Sequence, residues 1–336
     1  MIAGTALARW LADGAAQDAS FAGLDAVARR WSAHPLMAGL ERDLIDMRDR
    51  TPERLIAAAR RFMDRGDDVE ALMADLIASC RTDPFFRPPF QPISTEVQNS
   101  LLLYHHPDLS ISLGVTGLDA LAAKKSGRTG AASINFTGCL TLLRFIHAGG
   151  AIVSLWEAPP VPGTFTFAAA GACRLVERRR IADGEELLVD GRQQSFVIEH
   201  AEADILFFHA VARTGCAPVA LEYDSDSLAC IGATGTDEAG ARLQMMASLL
   251  RALDRQDALP VLREALASPH FFIRWHVMRE MLALDAEGSL PSLRRLAETD
   301  PHPDVRAAAR QTLDLFFADE EAPVPAPAGE GQACPA

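Results

Sequence analysis

No run in these 336 residues approaches the roughly 18 consecutive apolar positions that a membrane-spanning helix needs. The longest, such as 151–156, are short. The start, Met1-Ile2-Ala3-Gly4, lacks the positive segment that precedes the apolar stretch of a secretory leader. A cytoplasmic protein with no membrane partner is the expectation. A basic balance is missing too, since the net charge is −13 and the isoelectric point about 5.1. Nucleic-acid binders draw most of their affinity from Lys and Arg on phosphates, so no nucleic-acid partner is expected. The one basic run, Arg178-Arg179-Arg180 with Arg174 close by, reads as a solvated strand end or turn.

Cysteine pairs at metal or redox spacing are absent. Cys80, Cys139, Cys173, Cys216, Cys230 and Cys334 include no C-x-x-C, which excludes a zinc knuckle and a thioredoxin-type motif. In a reducing compartment most read as small core residues, with Cys334 an exposed thiol in the tail. No Gly-x-Ser-x-Gly nucleophile elbow and no phosphate loop occur. Lys124-Lys125-Ser126-Gly127-Arg128 is basic but lacks the loop's glycine spacing. Gly114 and Gly117 match the last two glycines of a dinucleotide fingerprint, but Ser112 stands where the first belongs.

What is present divides by texture. Residues 1–82 read as helices. Thr51-Pro52-Glu53 supplies a cap, a proline at the first helical position and an early acid; Leu55, Ala58, Ala59 and Phe62 then recur at helical spacing. Val69, Leu72, Met73, Leu76 and Ile77 form a second stripe, and Phe21, Leu24, Val27 and Trp31 a third. Residues 83–94, with Pro84, Pro88, Pro89 and Pro92 between Phe85, Phe86 and Phe90, read as an extended connector pinned by its aromatic residues. Residues 95–232 hold ten short apolar stretches between Gly, Pro and Asp turns: 100–104, 110–115, 132–136, 140–146, 151–156, 164–168, 186–189, 195–198, 204–211 and 218–223. That spacing predicts an antiparallel sandwich or barrel. Residues 236–318 return to helix, with Leu243, Met246, Leu249 and Leu250 on one apolar face. Residues 319–336 are rich in Pro, Ala, Gly and acid, a composition that buries no core and predicts a disordered tail.

The helical end repeats itself. Ala258-Leu259-Pro260-Val261-Leu262-Arg263 is echoed by Ser289-Leu290-Pro291-Ser292-Leu293-Arg294. Pro269-His270 with Ile273-Arg274 is echoed by Pro301-His302 with Val305-Arg306. A proline that starts a helix, an aliphatic-Arg pair and then Ala307, Ala308, Ala309 and Leu313 resemble the HEAT repeat family. The resemblance implies paired helices, an Arg–Asp ladder between repeats and a surface for a protein partner, with Arg274, Arg306, Trp275 and His276 as the interaction residues. Two units fall short of the three or more that a free solenoid needs, so helix 239–253 or the strand domain is expected to serve as a cap. His270 and His302, at equivalent positions, read as turn residues.

Asp183-Gly184, an apolar strand, and Asp190-Gly191-Arg192-Gln193-Gln194-Ser195-Phe196 resemble the second motif of the cupin superfamily. Its members are double-stranded β-helix barrels, and its enzymes hold a metal on three histidines and a carboxylate. Gln194 stands at that motif's histidine. In the first motif, counted from Gly117 to Gly138, Ala123 and Lys125 stand at the two histidines, and Thr129 or Gly130 at the carboxylate. Alanine supplies no electron pair and a protonated lysine repels a cation. The resemblance therefore implies a barrel without metal or other cofactor, structural or open to a small-molecule ligand.

The fold class expected is α+β: N-terminal helices, a cupin-like barrel, then HEAT-like hairpins packed against it. The function expected is a non-catalytic adaptor or ligand-sensing scaffold. The alternative is an oxygenase or isomerase whose divalent transition metal sits on His105 or His106 with His147 and His209. His209 alternates with Ile205, Phe207 and Val211, as a strand residue sharing their face would; His200 lies beside the same core strands. A third reading places an anionic metabolite against Lys124, Lys125 or Arg144.

Overall fold

The computed structural model describes residues 4–126, 133–160, 165–166 and 169–317, apart from the side chains of Lys125 and Ser126. The expected disordered tail and Cys334 lie outside the described residues. By internal contacts the chain divides into Met1–Thr236 and Asp237–Ala336.

The first unit begins with α1 (Gly4–Ala12), α2 (Gly14–Ala33), α3 (Pro35–Ile45), α4 (Pro52–Met63) and α5 (Gly66–Thr82). The α4 start follows its local chemistry. Thr51 caps the Arg54 N–H and Pro52 sits in the first turn, where its missing N–H costs nothing. Leu55, Ile56, Ala58, Ala59, Phe62 and Met63 of α4 are buried. They share a core with Val27, Trp31, Leu40 and Leu72 from the other helices and with Leu103, Leu109, Ile111, Leu142, Phe208 and Ala210 from the strands. The N-terminal helices are thus one cover of the sheet.

Among the described residues twelve strands follow: β1 (Gln91–Ser94), β2 (Gln98–His105), β3 (Leu109–Thr116), β4 (Ser133–Phe136), β5 (Leu140–His147), β6 (Ile152–Glu157), β7 (Arg174–Arg180), β8 (Glu186–Asp190), β9 (Gln194–His200), β10 (Ile205–Ala212), β11 (Val219–Asp224) and β12 (Cys230–Gly235). A helix, α6 (Leu118–Ser126), precedes β4. Every recorded strand pairing is antiparallel. One sheet runs β1-β2-β3-β10-β5-β8, another β7-β6-β9, and a third β12-β11-β4. Ser195 Oγ of β9 donates to the Asn135 carbonyl of β4, which sets β4 beside β9. Counting β3 to β10 as one to eight, the two walls read 1-8-3-6 and 2-7-4-5. That is the strand order of a double-stranded β-helix, the closed relative of the jelly roll. Alternation along each strand sends one set of side chains inward. Leu143, Phe145, Val153, Leu187, Val189, Ile205 and Phe207 form the core between the walls. The fold class is α+β.

Three strands differ from the sequence expectation. β1 forms in the connector at the edge of the six-stranded sheet, a place where a proline such as Pro92 is tolerated. Phe85 stacks on Trp10 at 5.1 Å and Phe90 meets Trp31 edge-on at 4.4 Å, so the aromatic residues pin the connector as expected. β7 is a full strand built from the basic run; charge on an edge strand blocks further pairing, and hydrophobic alternation alone misses it. β12, rich in Gly and Thr, carries no apolar stripe. Of the expected 164–168, residues 165–166 are irregular, and 164, 167 and 168 lie outside the described residues.

Cysteine is a second correction. Cys139 and Cys216, 77 positions apart in sequence, form a disulfide, with Cα atoms 4.4 Å apart. A reducing compartment was the premise for reading them as core thiols. The strand order brings the start of β5 and the end of β10 together, and no local spacing reports that.

The second unit comprises α7 (Glu238–Ala252), α8 (Leu259–Ala265), α9 (Phe271–Leu284), α10 (Ala286–Thr299) and α11 (Pro303–Phe316). Its core joins Ala247 to Leu262, Ile273, Val277, Met278, Met281, Leu293 and Val305. α7 packs on α9 and so caps the first hairpin. Pro291 lies inside α10, which starts a turn earlier than the matching α8.

Candidate functional site

The barrel interior is where a metal or ligand would sit. Of the candidate ligands, His209 lies on the inward-facing row, between Phe207 and Val211. Opposite it stand Ser112 of β3 and Leu143 of β5. The residue keeps some solvent exposure, yet its ring is enclosed, and burial pushes the imidazole down to about 4. It is neutral at neutral pH. The other histidines are elsewhere. His105 is exposed at the end of β2. His106 Nδ1 accepts from the Asp108 N–H at 3.1 Å, a turn contact. His147 is exposed at the end of β5, with Nδ1 3.4 Å from Asp183 Oδ2, and His200 is exposed at the end of β9. Among the described residues, no three His, Cys, Asp or Glu side chains gather into a set able to hold a metal ion. The set His105, His106, His147 and His209 is not assembled, because His105 and His147 are exposed at strand ends and His106 sits half-buried in a turn.

The cupin motif positions also move. Ala123 and Lys125 stand on α6, not on a barrel strand, so the first motif as counted from Gly117 has no counterpart in the walls. Thr129 and Gly130 lie outside the described residues. Gln194 opens β9, and its Oε1 accepts from the Asp190 N–H at 3.2 Å, closing the β8–β9 turn.

The anion residues do not meet. Arg144 points out of the barrel beneath α4. It donates to Glu186 Oε1 at 2.5 Å and to Asp64 Oδ1 at 2.7 Å, and Arg60 donates to Glu186 Oε2 at 2.6 Å. Burial alone would raise the Glu186 carboxyl, but the two guanidinium groups outweigh it and hold it below its ordinary value. Lys124 pairs with Glu96 at 3.1 Å, and the Lys125 side chain lies outside the described residues. The basic run of β7 is matched across strands: Arg174 with Glu157, Arg178 with Glu199, Arg179 with Glu185 and Arg180 with Glu202. No free cationic face remains along it.

In the helical unit, the residues read as partner contacts hold the repeats together. Arg274 is buried. Its Nε and Nη2 donate to the two Asp300 oxygens at 2.7 Å each, and its Nη1 to the Ser268 and Pro269 carbonyls at 3.0 Å. That is the Arg–Asp ladder the resemblance implied. Arg306 donates to the Asp300 carbonyl at 2.5 Å. His276 Nε2 lies 3.0 Å from Ser248 Oγ, and Ser248 donates to Glu280 at 2.9 Å, which also takes Arg251. Trp275 packs on the core. His302 caps α11 through the Asp304 N–H and stacks on Phe271 at 3.9 Å, a turn role as expected.

The free surface is the far side of α7. Met245, Met246, Leu249 and Leu253 are exposed by 70%, 55%, 50% and 60%, while Leu243, Ala247 and Leu250 face the core. Met246 and Leu249, grouped with the core-facing residues from the sequence, belong to this outer face. The available signal was apolar residues on both sides of one helix, more than a single buried stripe requires.

Residues 232–314 match the family model for HEAT repeats. Solved structures resembling the strand region include ectoine synthase from P. lautus, at 13% identity and TM-score 0.22, covering 36% of this chain and 67% of that one. AerE from Microcystis aeruginosa, at 8% identity and TM-score 0.24, covers 40% and 51%. The Cnp3 cupin domain of Schizosaccharomyces pombe, at 6% identity and TM-score 0.21, covers 35% and 64%. This chain thus spans about half to two thirds of these relatives' lengths. No curated protein matches the sequence. At this level of likeness no activity passes from those structures to this chain; the barrel reading rests on its own strand order.

Proposed function

We propose that the protein is a non-catalytic adaptor that holds a protein partner on the outer face of α7, with the barrel as a structural or ligand-sensing body that takes no metal. The carrying observation is the contiguous apolar row Met245, Met246, Leu249 and Leu253, left exposed on a helix whose other side is packed. Exposed apolar patches of this kind mark interaction surfaces, and methionine adapts to the shape of its partner. The HEAT repeat match over 232–314 supports the same reading.

The test is affinity capture from native-host lysate with the full chain and with a Met246→Asp, Leu249→Asp double variant. Both substitutions replace exposed side chains, so the helical circular dichroism and melting curve are expected to stay unchanged. A stoichiometric protein recovered by the parent and lost by the variant supports the surface. Equal recovery by both removes it. Metal analysis by mass spectrometry on protein purified without chelator checks the barrel. Stoichiometric transition metal that disappears with His209→Ala overturns the non-catalytic reading.

A further inference from the structure

A cavity of about 870 Å³ opens between α1, α2, α5 and the connector, outside the barrel interior and the repeats. Its size falls in the small-molecule range. Helical spacing aims its lining inward. Ala6, Arg9 and Trp10 of α1 recur at i, i+3 and i+4, and Ala16, Ala19, Gly23 and Ala26 of α2 at i, i+3, i+7 and i+10, so each helix turns one face to the cavity. The α2 residues are small, which leaves the space open. Trp10 and Phe85 are half-buried and stack on each other, an aromatic wall within a ligand's reach.

The charged residues of the lining are Arg9, Asp13, Arg30 and Asp83, and two are already engaged. Asp13 is exposed and caps α2 by accepting from the Ala16 N–H at 3.1 Å, and Arg30 pairs with Asp75 at 2.8 Å. Arg9 is exposed, and its Nε donates to the Thr5 carbonyl of its own helix at 3.3 Å, which leaves its two terminal nitrogens. Asp83 is half-buried and accepts from Ser20 Oγ at 2.5 Å and from the Phe85 N–H at 2.8 Å, both neutral donors. Among the described residues neither Arg9 nor Asp83 has an ion-pair partner. Trp10 Nε1 donates to the same Ser20 Oγ at 3.1 Å, so the Asp83 carboxylate sits one side chain away from the neighbour of Arg9.

We propose that this cavity binds a zwitterionic aromatic amino acid. Its carboxylate pairs with the Arg9 guanidinium, whose terminal nitrogens form the fork that carboxylates match. Its ammonium pairs with Asp83, whose oxygens keep lone pairs beyond the two bonds they hold. Its ring lies against Trp10 and over the small residues of α2. A ligand with one charge leaves either Arg9 or Asp83 unmatched, and that sets the class.

L-Phenylalanine is the probe, with phenethylamine and 3-phenylpropionate as the versions that carry one charge each. Calorimetric titration of the full chain is expected to show one saturable L-phenylalanine site, with each counterpart weaker by roughly tenfold, the loss typical of one charge-assisted contact. Arg9→Gln is expected to weaken L-phenylalanine and 3-phenylpropionate and to leave phenethylamine unchanged. Asp83→Asn is expected to weaken L-phenylalanine and phenethylamine and to spare 3-phenylpropionate. Ala19→Leu fills the cavity from an exposed position, so all three ligands are expected to lose binding while the circular dichroism and melting curve match the parent's. Ala19→Leu and Arg9→Gln keep the test decisive if Asp83→Asn loosens the connector. No saturable L-phenylalanine binding, or binding that survives Ala19→Leu, overturns the proposal. A counterpart that binds as tightly as L-phenylalanine overturns the zwitterion class.

Discussion

Arg274 and Asp300 lie 26 positions apart and meet in a two-point ion pair whose aspartate side chain is 1% exposed. Breaking such a pair from one side leaves a buried charge without compensation. Arg274→Ala is therefore expected to cost about 3–5 kcal/mol, read by urea denaturation of the helical signal. The pH response has a definite sign. Burial alone would raise the Asp300 carboxyl, but hydrogen bonds from Arg274 and the His302 N–H hold it below its ordinary value. A carboxyl lowered on folding contributes stability that is present above the unfolded value, about 4, and lost as pH falls through the folded one. Acid unfolding of the helical unit below about pH 4 is expected to be blunted in Asp300→Asn, which has no carboxyl left to protonate. An identical acid limb in parent and variant would show that the carboxyl does not set it.

At the scale of the element, the β5–β6 turn is a tightly constrained local feature of the barrel. Gly149 and Gly150 adopt φ of +58° and +66°, in the left-handed region that a side chain disfavours. A Cβ on Gly149 would also lie 2.5 Å from the Ala203 carbonyl oxygen and 2.8 Å from that of Asp204. Both obstacles are backbone, so no side-chain rotation relieves them. Gly149→Ala is expected to destabilise the first unit by more than about 1 kcal/mol, seen as a lower denaturation midpoint with an unchanged slope. The charged edge strand β7 makes the contrasting case. Its ion pairs are solvent-facing and worth little each, so they protect the edge more than they hold the fold.

At the scale of the whole molecule, the two units have separate cores: no buried residue of the helix-and-strand clusters recurs in the repeat cluster. A segment with its own core folds by itself. A fragment spanning 237–317 is expected to give a helical spectrum and a single cooperative melt; a featureless, non-cooperative curve would mean that the repeats depend on the first unit.

How much of this was legible depended on whether the signal was local. Helix stripes, the proline start of α4, the 31- and 32-residue echo, and nine of the twelve strands described follow from periodicity and turn chemistry, which act over a few residues. The sequence alone determined the α+β class, the HEAT-like pair and the barrel resemblance. Tertiary structure decided what each candidate side chain does. Arg274 is an internal strut and not a partner contact, because its guanidinium finds Asp300 one repeat away. Two of the histidines read as metal ligands, His105 and His147, end at the surface because they fall at strand ends, and His106 is taken up by a turn. The Cys139–Cys216 bond and the outer face of α7 have no spacing of their own. Each depends on elements that are distant in sequence or on which side of a helix the core claims, and only the packed chain sets those.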